Sequence, residues 1–417
     1  MIDRMQRIIA LTASLLLLAA APAGSTRAAG AAEQTASALK DLRISAAELM
    51  PARSASIKPA SAHAVPRLAG EYTAPANENR ETERRGISGW TVHVDNDLFA
   101  FTNEDRDYTA GVSVTLGGAD DNVLSGALGW LDSRIPLAPS RGDDEESTRF
   151  SEIGDARTKH SLEIGLVLFT PNDLEASGPL RDDRPYANLA YVASSRLSHE
   201  PGSSVARQSS LTLGMLGLPF AEGLHRAVHD AVGSPEPMGY EHQISDGGEP
   251  TFRYAVSKYR LLHESSYGGR PFSLRFGTTA SIGYLTEANA ELEFRWGNMH
   301  VPWWVSLPSA SDYAGHPPMK FADEAGSSGM RLLASGGLTA RVRAYNSFLQ
   351  GQFRDSDVTY PSSRLNRLLL EAWIGLTTVF PNDLRVSYTV RRQTEELEDG
   401  RGARSFTWAS IGVAKQF

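Results

Sequence analysis

Asp107-Tyr108-Thr109-Ala110-Gly111-Val112-Ser113-Val114-Thr115-Leu116-Gly117 alternates in character residue by residue. Tyr108, Ala110, Val112, Val114 and Leu116 take one side, and Thr109, Gly111, Ser113, Thr115 and Gly117 the other. Successive side chains of a strand point to opposite faces, so this segment reads as a strand with one apolar and one polar face. The same period returns down the chain. Leu162, Ile164, Leu166 and Leu168 form another apolar face, and Phe272, Leu274, Phe276, Thr278, Ala280 and Ile282 oppose Ser273, Arg275, Gly277, Thr279 and Ser281. Leu338, Ala340, Val342 and Ala344 alternate with Thr339, Arg341, Arg343 and Tyr345, as Leu384, Val386, Tyr388 and Val390 do with Arg385, Ser387, Thr389 and Arg391. Strands are expected over 89–99, 107–118, 160–170, 189–200, 207–217, 250–263, 272–283, 286–297, 331–344, 365–379, 383–396 and 405–417, about twelve in all.

Arginines opposite an apolar stripe fit a polar lumen behind a lipid-facing wall, although a soluble sandwich has the same period. The two ends of the chain decide between them. Arg4 and Arg7 precede an apolar run from Ile8 through Leu18, and Ala21-Pro22-Ala23 has the A-x-A form of a cleavage site. Residues 1–30 therefore read as a secretory signal peptide, the other reading being an N-terminal membrane anchor. No other stretch approaches the roughly 18 apolar residues of a membrane helix, so an exported chain that spans a membrane must do so as a closed barrel. The last segment, Ser405-Phe406-Thr407-Trp408-Ala409-Ser410-Ile411-Gly412-Val413-Ala414-Lys415-Gln416-Phe417, places Ile411, Val413 and Phe417 on one face and stops on an aromatic. It resembles the terminal strand by which the barrel-assembly machinery recognises bacterial outer-membrane barrels. The expected fold is an all-β transmembrane antiparallel β-barrel of about 12 strands over residues 88–417, in the outer membrane of a Gram-negative bacterium. The net charge of −8 argues against a nucleic-acid partner, and with no cysteine there are no disulfides.

Residues 31–87 are rich in Ala, Ser, Pro and charge without a sustained period, and read as a disordered periplasmic extension or linker. With both termini periplasmic, the connection after each odd strand faces the exterior. This count puts the long connections 119–159 and 298–330, the latter with Trp303-Trp304, on the periplasmic side.

The polar chemistry falls at the exterior rim. Asp97 ends the first strand and Thr109 opens the second; Arg181-Asp182-Asp183-Arg184-Pro185-Tyr186-Ala187 joins strands three and four. Residues 219–232 read as a short helix in an extracellular loop, with Pro219 near its start, Gly233 past its end, and His225 and His229 on one face. Zinc ligation, incidental surface histidines and a general base are all open readings of that pair. Asp95, Asn96, Asp97, Glu104, Asp105 and Asp107 offer hard oxygen ligands for calcium, or an ordinary acidic turn.

Asn96-Asp97, Asp107-Tyr108-Thr109-Ala110-Gly111, Asp183-Arg184-Pro185-Tyr186-Ala187, and His229 followed by Gly233 and Gly239-Tyr240-Glu241-His242-Gln243 together resemble the outer-membrane lipid A 3'-O-deacylase family. The resemblance implies a twelve-stranded barrel that removes the 3'-linked acyloxyacyl chain of lipid A, with Ca2+ as cofactor and lipopolysaccharide as substrate. It implies catalytic roles for Asn96, Asp97, Thr109 and His229, His229 being the base that activates water. The ion is implied near Asp97; with the acidic hairpin the expected metal ligands are Asp97 and Asp107, and the expected substrate contacts are Arg184, Tyr186 and His225. The family's glutamine one turn before the histidine is His225 here. Its lysine after the third strand has no counterpart near Ala176, where Arg181 or Arg184 is the substitute, and its acidic residue after the histidine appears as Glu236 behind Pro235. Two further readings compete: a non-catalytic barrel, pore or structural, with a lumen lined by Arg275, Arg341, Arg343, Arg385 and Arg391, and a calcium-dependent phospholipase with a Ser–His pair.

Overall fold

The computed structural model describes residues 87–100, 106–119, 122–136, 138–139, 157–299, 301–305, 330–381 and 384–416. The expected signal segment, all but the last residue of the extension 31–87, Glu104, Asp105 and the terminal Phe417 lie outside the described residues. Twelve antiparallel strands close into a barrel: β1 (Gly89–Asn96), β2 (Asp107–Gly117), β3 (Arg157–Thr170), β4 (Ala187–His199), β5 (Val205–Leu216), β6 (Glu249–Tyr267), β7 (Arg270–Gly283), β8 (Leu285–Gly297), β9 (Arg331–Asn346), β10 (Leu368–Val379), β11 (Arg385–Gln393) and β12 (Phe406–Gln416). Each strand pairs with its sequence neighbours, and β1 pairs with β12 from Gly89 opposite Gln416 to Asn96 opposite Ala409. Closure leaves no unpaired edge, which is what lets strands cross an apolar medium. Among the described residues the connections add three helices: α1 (Ser125–Asp132), α2 (Phe220–Val232) and α3 (Ser347–Gln350). The connections after odd strands lie at one end, the upper rim, and those after even strands at the lower rim.

The alternation sorts as expected. Ile164, Phe276, Ile282, Leu338, Val342, Leu370 and Ile374 are exposed on the outer wall, while Glu163, Arg275, Thr339, Arg341, Glu371, Arg385 and Arg391 are buried inside. Tyr108 is the exception. The β2–β3 register skips between Tyr108 and Ala110, so Thr109 is an extra residue in β2. A bulge reverses the alternation beyond it, and Tyr108 turns inward to donate its hydroxyl to Asp95 at 2.9 Å.

The interior is filled in three tiers. At the upper rim Tyr108, Phe169, Leu189, Tyr284, Phe406 and Trp408 pack with Ile244 and Phe348, which two connections drop into the barrel mouth. Below them charges of opposite sign interleave. Glu287 meets Arg343 at 2.7 Å, Arg341 at 3.6 Å and Arg253 at 3.7 Å, and Glu371 links Arg341 to Arg391. At the lower rim Trp303, Trp304 and Val305 turn up into the barrel against Leu197, Ala206 and Tyr259. Arg275 and Arg295 hold this stopper, each donating to the Val305 carbonyl while pairing with Glu293 at 2.5 Å. Trp303-Trp304 therefore packs inside the barrel.

Candidate active site

The Asn96–Asp97 pair stands where β1 breaks into a short 3-10 turn, Asp97–Ala100. Asp97 is buried and its carboxylate accepts the backbone N–H of Leu98 at 2.8 Å and of Arg106 at 2.5 Å, closing the hairpin. Asn96 Oδ1 accepts the same Leu98 N–H at 2.7 Å, and its Nδ2 donates to the Thr109 carbonyl at 2.5 Å. A bulged residue has lost its ladder partner, so this side-chain bond satisfies the backbone group that the bulge would leave open. The Thr109 hydroxyl in turn bonds that of Thr170. Asp95 points inward to Tyr108, so by alternation Asn96 points outward. Thr170 shares the outward face of β3 with Leu166 and Leu168. The Asn96–Thr109–Thr170 chain thus lies on the lipid side of the wall at the upper rim.

α2 packs beside it. Its Ala221 is fully buried in a cluster with Leu168, Leu174, Tyr186 and Tyr240, against which Ala110 and Leu166 also pack. Leu168 and Ala110 immediately neighbour Thr170 and Thr109 on the wall, so α2 stands over the outward face of β2 and β3. The i, i+4 spacing puts His225 and His229, both buried, on one face. The helix stops at Gly233, whose φ of +67° suits glycine. The reversed chain brings the Pro235 carbonyl to 2.5 Å from His229 Nδ1. A carbonyl only accepts, so Nδ1 carries the proton and Nε2 is the basic atom of the neutral ring. Nε2 lies 2.7 Å from His225 Nε2, and His225 Nδ1 lies 3.0 Å from the Tyr240 hydroxyl. One donor sequence satisfies every pair: Tyr240 O–H to His225 Nδ1, His225 Nε2–H to His229 Nε2, and His229 Nδ1–H to Pro235.

The structure separates the remaining expected residues from this surface. Tyr186 lies under the helix, its ring 4.5 Å from that of Tyr240 and its hydroxyl donating to the Leu174 carbonyl at 3.1 Å. Arg184 is only 4% exposed and lies over Phe169 and Phe406 inside the barrel mouth, paired with Glu396 and with Asp107 at 3.8 Å. Asp107 has a φ of +70°, unusual for a residue with a side chain. Both its oxygens are gripped at 2.9 Å by the Arg404 guanidinium, which also reaches Asp183 at 2.8 Å. These groups form a clasp between the 171–186 and 394–405 connections. Its outer edge is the Arg401 fork, whose hydrogen bonds hold the exposed Asp182 carboxyl below the usual carboxylate range.

Calcium fits the described residues poorly as a preformed site. Of its two expected ligands Asp107 is committed to Arg404, and among the described residues no three of His, Cys, Asp and Glu converge to hold an ion. The same observation leaves His225 and His229 without a third protein ligand for zinc. The sequence reading missed Thr170 and Tyr240 as parts of the site. Thr170 closes the outward face that Leu162, Ile164, Leu166 and Leu168 begin, and its polar end after that apolar run was the available signal. Tyr240 lies in the segment Gly239-Tyr240-Glu241-His242-Gln243, which has no periodicity to mark it.

A closed twelve-stranded antiparallel wall, apolar outside and charged within, defines an outer-membrane β-barrel. The comparisons are specific. The sequence model of the family described as outer membrane protein LpxR matches residues 54–417, and the chain belongs to that family. LpxR from Salmonella typhimurium has the same fold, with a TM-score of 0.57 at 15% identity over 79% of this chain and 100% of that one. The β domain of the Bordetella autotransporter BrkA aligns over 79% of this chain and 99% of its own, with a TM-score of 0.36 and 8% identity. No curated protein matches the sequence.

Proposed function

We propose that the protein is an ester hydrolase that removes the 3'-linked acyloxyacyl chain of lipid A, with its upper rim in the outer leaflet of the outer membrane. The observation that supports the reading is a buried imidazole, His229, with Nδ1 against the Pro235 carbonyl, on a helix that packs over the outward face of β2 and β3, the face that carries Asn96, Thr109 and Thr170. A hydrolase for a lipid embedded in the leaflet needs its base there, since the substrate approaches along the wall. The filled lumen disfavours a pore.

In this mechanism a water oxygen adds to the ester carbonyl while His229 Nε2 takes its proton. The tetrahedral adduct then expels the sugar oxygen, and His229 returns the proton to it. One water is consumed, and a fatty acid and a free hydroxyl leave. The His225 N–H that occupies Nε2 in the structure gives way to the incoming water. Asn96 fixes the bulge at Thr109, which keeps the two threonine hydroxyls facing the reaction. A calcium ion would supply charge for the oxyanion near Asp97. The described His, Cys, Asp and Glu side chains do not by themselves compose its site. Arg184 and Asp107 belong to the clasp that holds the rim and not to the proton transfer.

Mass spectrometry of lipid A from cells with and without the protein tests the reading. Loss of one acyloxyacyl chain is expected, and unchanged acylation in calcium-replete medium rejects it. Loss of activity in chelator and recovery with calcium tests the ion separately.

A further inference from the structure

The connection after β2 carries α1 back onto the outside of the wall, over the middle of β5 and its neighbours β4 and β6. Asp132, at the end of α1, is 4% exposed and accepts the hydroxyls of Ser209 at 2.9 Å and Tyr254 at 2.8 Å, with Arg196 at 3.5 Å. Leu128 packs on Leu211 and Tyr254. These wall residues face outward, for Leu211 shares its face with exposed Leu213 and Tyr254 shares its face with exposed Phe252. A polar triad on an otherwise apolar wall is tolerable only if its groups are satisfied, and Asp132 satisfies them.

The wall changes character under this helix. Toward the upper rim the outward positions of β5 and β6 are Leu213, Met215 and Phe252, all exposed. Toward the lower rim they include Arg207, Lys258 and Arg260, beside Val205. Arg207 lies directly opposite Lys258, and Arg260 directly opposite Val205. Like charges placed opposite each other on one sheet face repel. Among the described residues none of the three pairs with an acidic side chain. Ser209, bonded to Asp132, is only two residues from Arg207 on the same face. Trp130, on the side of α1 turned away from the wall, is 56% exposed, with the Arg134 guanidinium 3.9 Å over its ring, and Val123 just before the helix is 81% exposed. An arginine lying over an aromatic ring on a lipid-facing surface suits the headgroup depth of a bilayer, and Trp130 with Arg134 is such a pair.

We propose that α1 and the cationic patch of Arg207, Lys258 and Arg260 form a binding surface for the phosphate headgroup of an anionic phospholipid, with Trp130 seated at headgroup depth and Arg134 as a fourth cation. On the orientation proposed above this leaflet is the periplasmic one, but the surface itself does not depend on deacylation. Its charges await a counter-anion, its exposed ring needs an interface, and it continues the lipid-facing wall without a break.

The test uses the full barrel in bilayers of mixed phosphatidylglycerol and phosphatidylcholine, with one or the other lipid brominated. The Trp130 signal is the difference in fluorescence between the wild type and Trp130→Phe. Brominated phosphatidylglycerol is expected to be enriched around Trp130 by at least about fivefold over brominated phosphatidylcholine, the worth of a single cation at an anionic surface. The triple variant Arg207→Gln, Lys258→Gln, Arg260→Gln alters outward positions only and is expected to fold, shown by heat-modifiable gel migration, and to lose the preference. Equal quenching by both lipids in the wild type, a preference that survives in the triple variant, or no Trp130-dependent quenching by either lipid overturns the proposal. Because the readout involves no lipid A, its outcome is separate from that of the deacylation experiment.

Discussion

Replacing Arg184 by alanine separates a rim clasp from a substrate contact. Arg184 is buried, bridges Glu396 and Asp107, and lies over the rings of Phe169 at 4.8 Å and Phe406 at 5.5 Å. Breaking a buried ion pair by removing one partner costs about 3–5 kcal/mol, mostly because the other charge is left uncompensated. Here neither carboxylate is abandoned. Asp107 keeps the two-pronged grip of Arg404, and Glu396 keeps Arg343. The ionic part therefore falls at the lower end, about 3 kcal/mol, and the lost contact with the rings adds about 1 kcal/mol. A loss of about 4 kcal/mol lowers the urea midpoint by more than about 1 M for an unfolding slope of up to about 3 kcal/mol per molar. The assay is urea unfolding of the detergent-solubilised barrel followed by gel mobility, with deacylation measured on the folded fraction. An unchanged midpoint together with a raised KM refutes the reasoning and makes Arg184 a substrate contact.

His229→Ala is expected to lower deacylation by about 10²–10⁴-fold while the barrel keeps its heat-modifiable migration, measured by lipid A mass spectrometry; retained activity removes the base from its role. Thr170→Val deletes the hydroxyl partner of Thr109 and should cost about 1 kcal/mol of stability, with turnover down about tenfold, a loss of about 1.4 kcal/mol in the transition state; steady-state kinetics check it. Trp304→Ala empties part of the lower stopper, where Trp304 is 7% exposed, and should destabilise the barrel by about 3 kcal/mol; the wild type should show no steady conductance in planar bilayers. Tyr360, whose hydroxyl donates to the Asp183 carbonyl at 2.6 Å, is pushed up to about 12 by burial. A raised value favours the neutral phenol in the folded state. Its contribution is therefore complete below pH 10, the ordinary tyrosine value, and is lost as pH rises through about 12. Protease nicking of the 347–367 connection should set in across that window, and Tyr360→Phe should show no such step.

The period of two determined the strands and their number, because side-chain alternation is a local property of extended backbone, while the expectation that the apolar face meets lipid rested on the two ends of the chain. The pairing of His225 with His229 was legible for the same reason, since a helix brings i and i+4 together whatever surrounds it. Alternation failed at Tyr108, where a single extra residue at Thr109 reverses the faces, and no composition signal marks a bulge. The fate of the charges was equally out of reach. Arg184 and Asp107 read as a phosphate contact and a metal ligand, yet they are partners of Glu396 and Arg404, which come from more than two hundred residues further along the chain. Only closure of β12 onto β1 brings those segments together. The tautomer of His229 likewise rests on the Pro235 carbonyl, whose position is set by the turn at Gly233 and by the packing of Tyr240 on Tyr186. Local periodicity thus wrote the wall, and long-range contact decided which charged groups of the rim pair with one another across the barrel mouth.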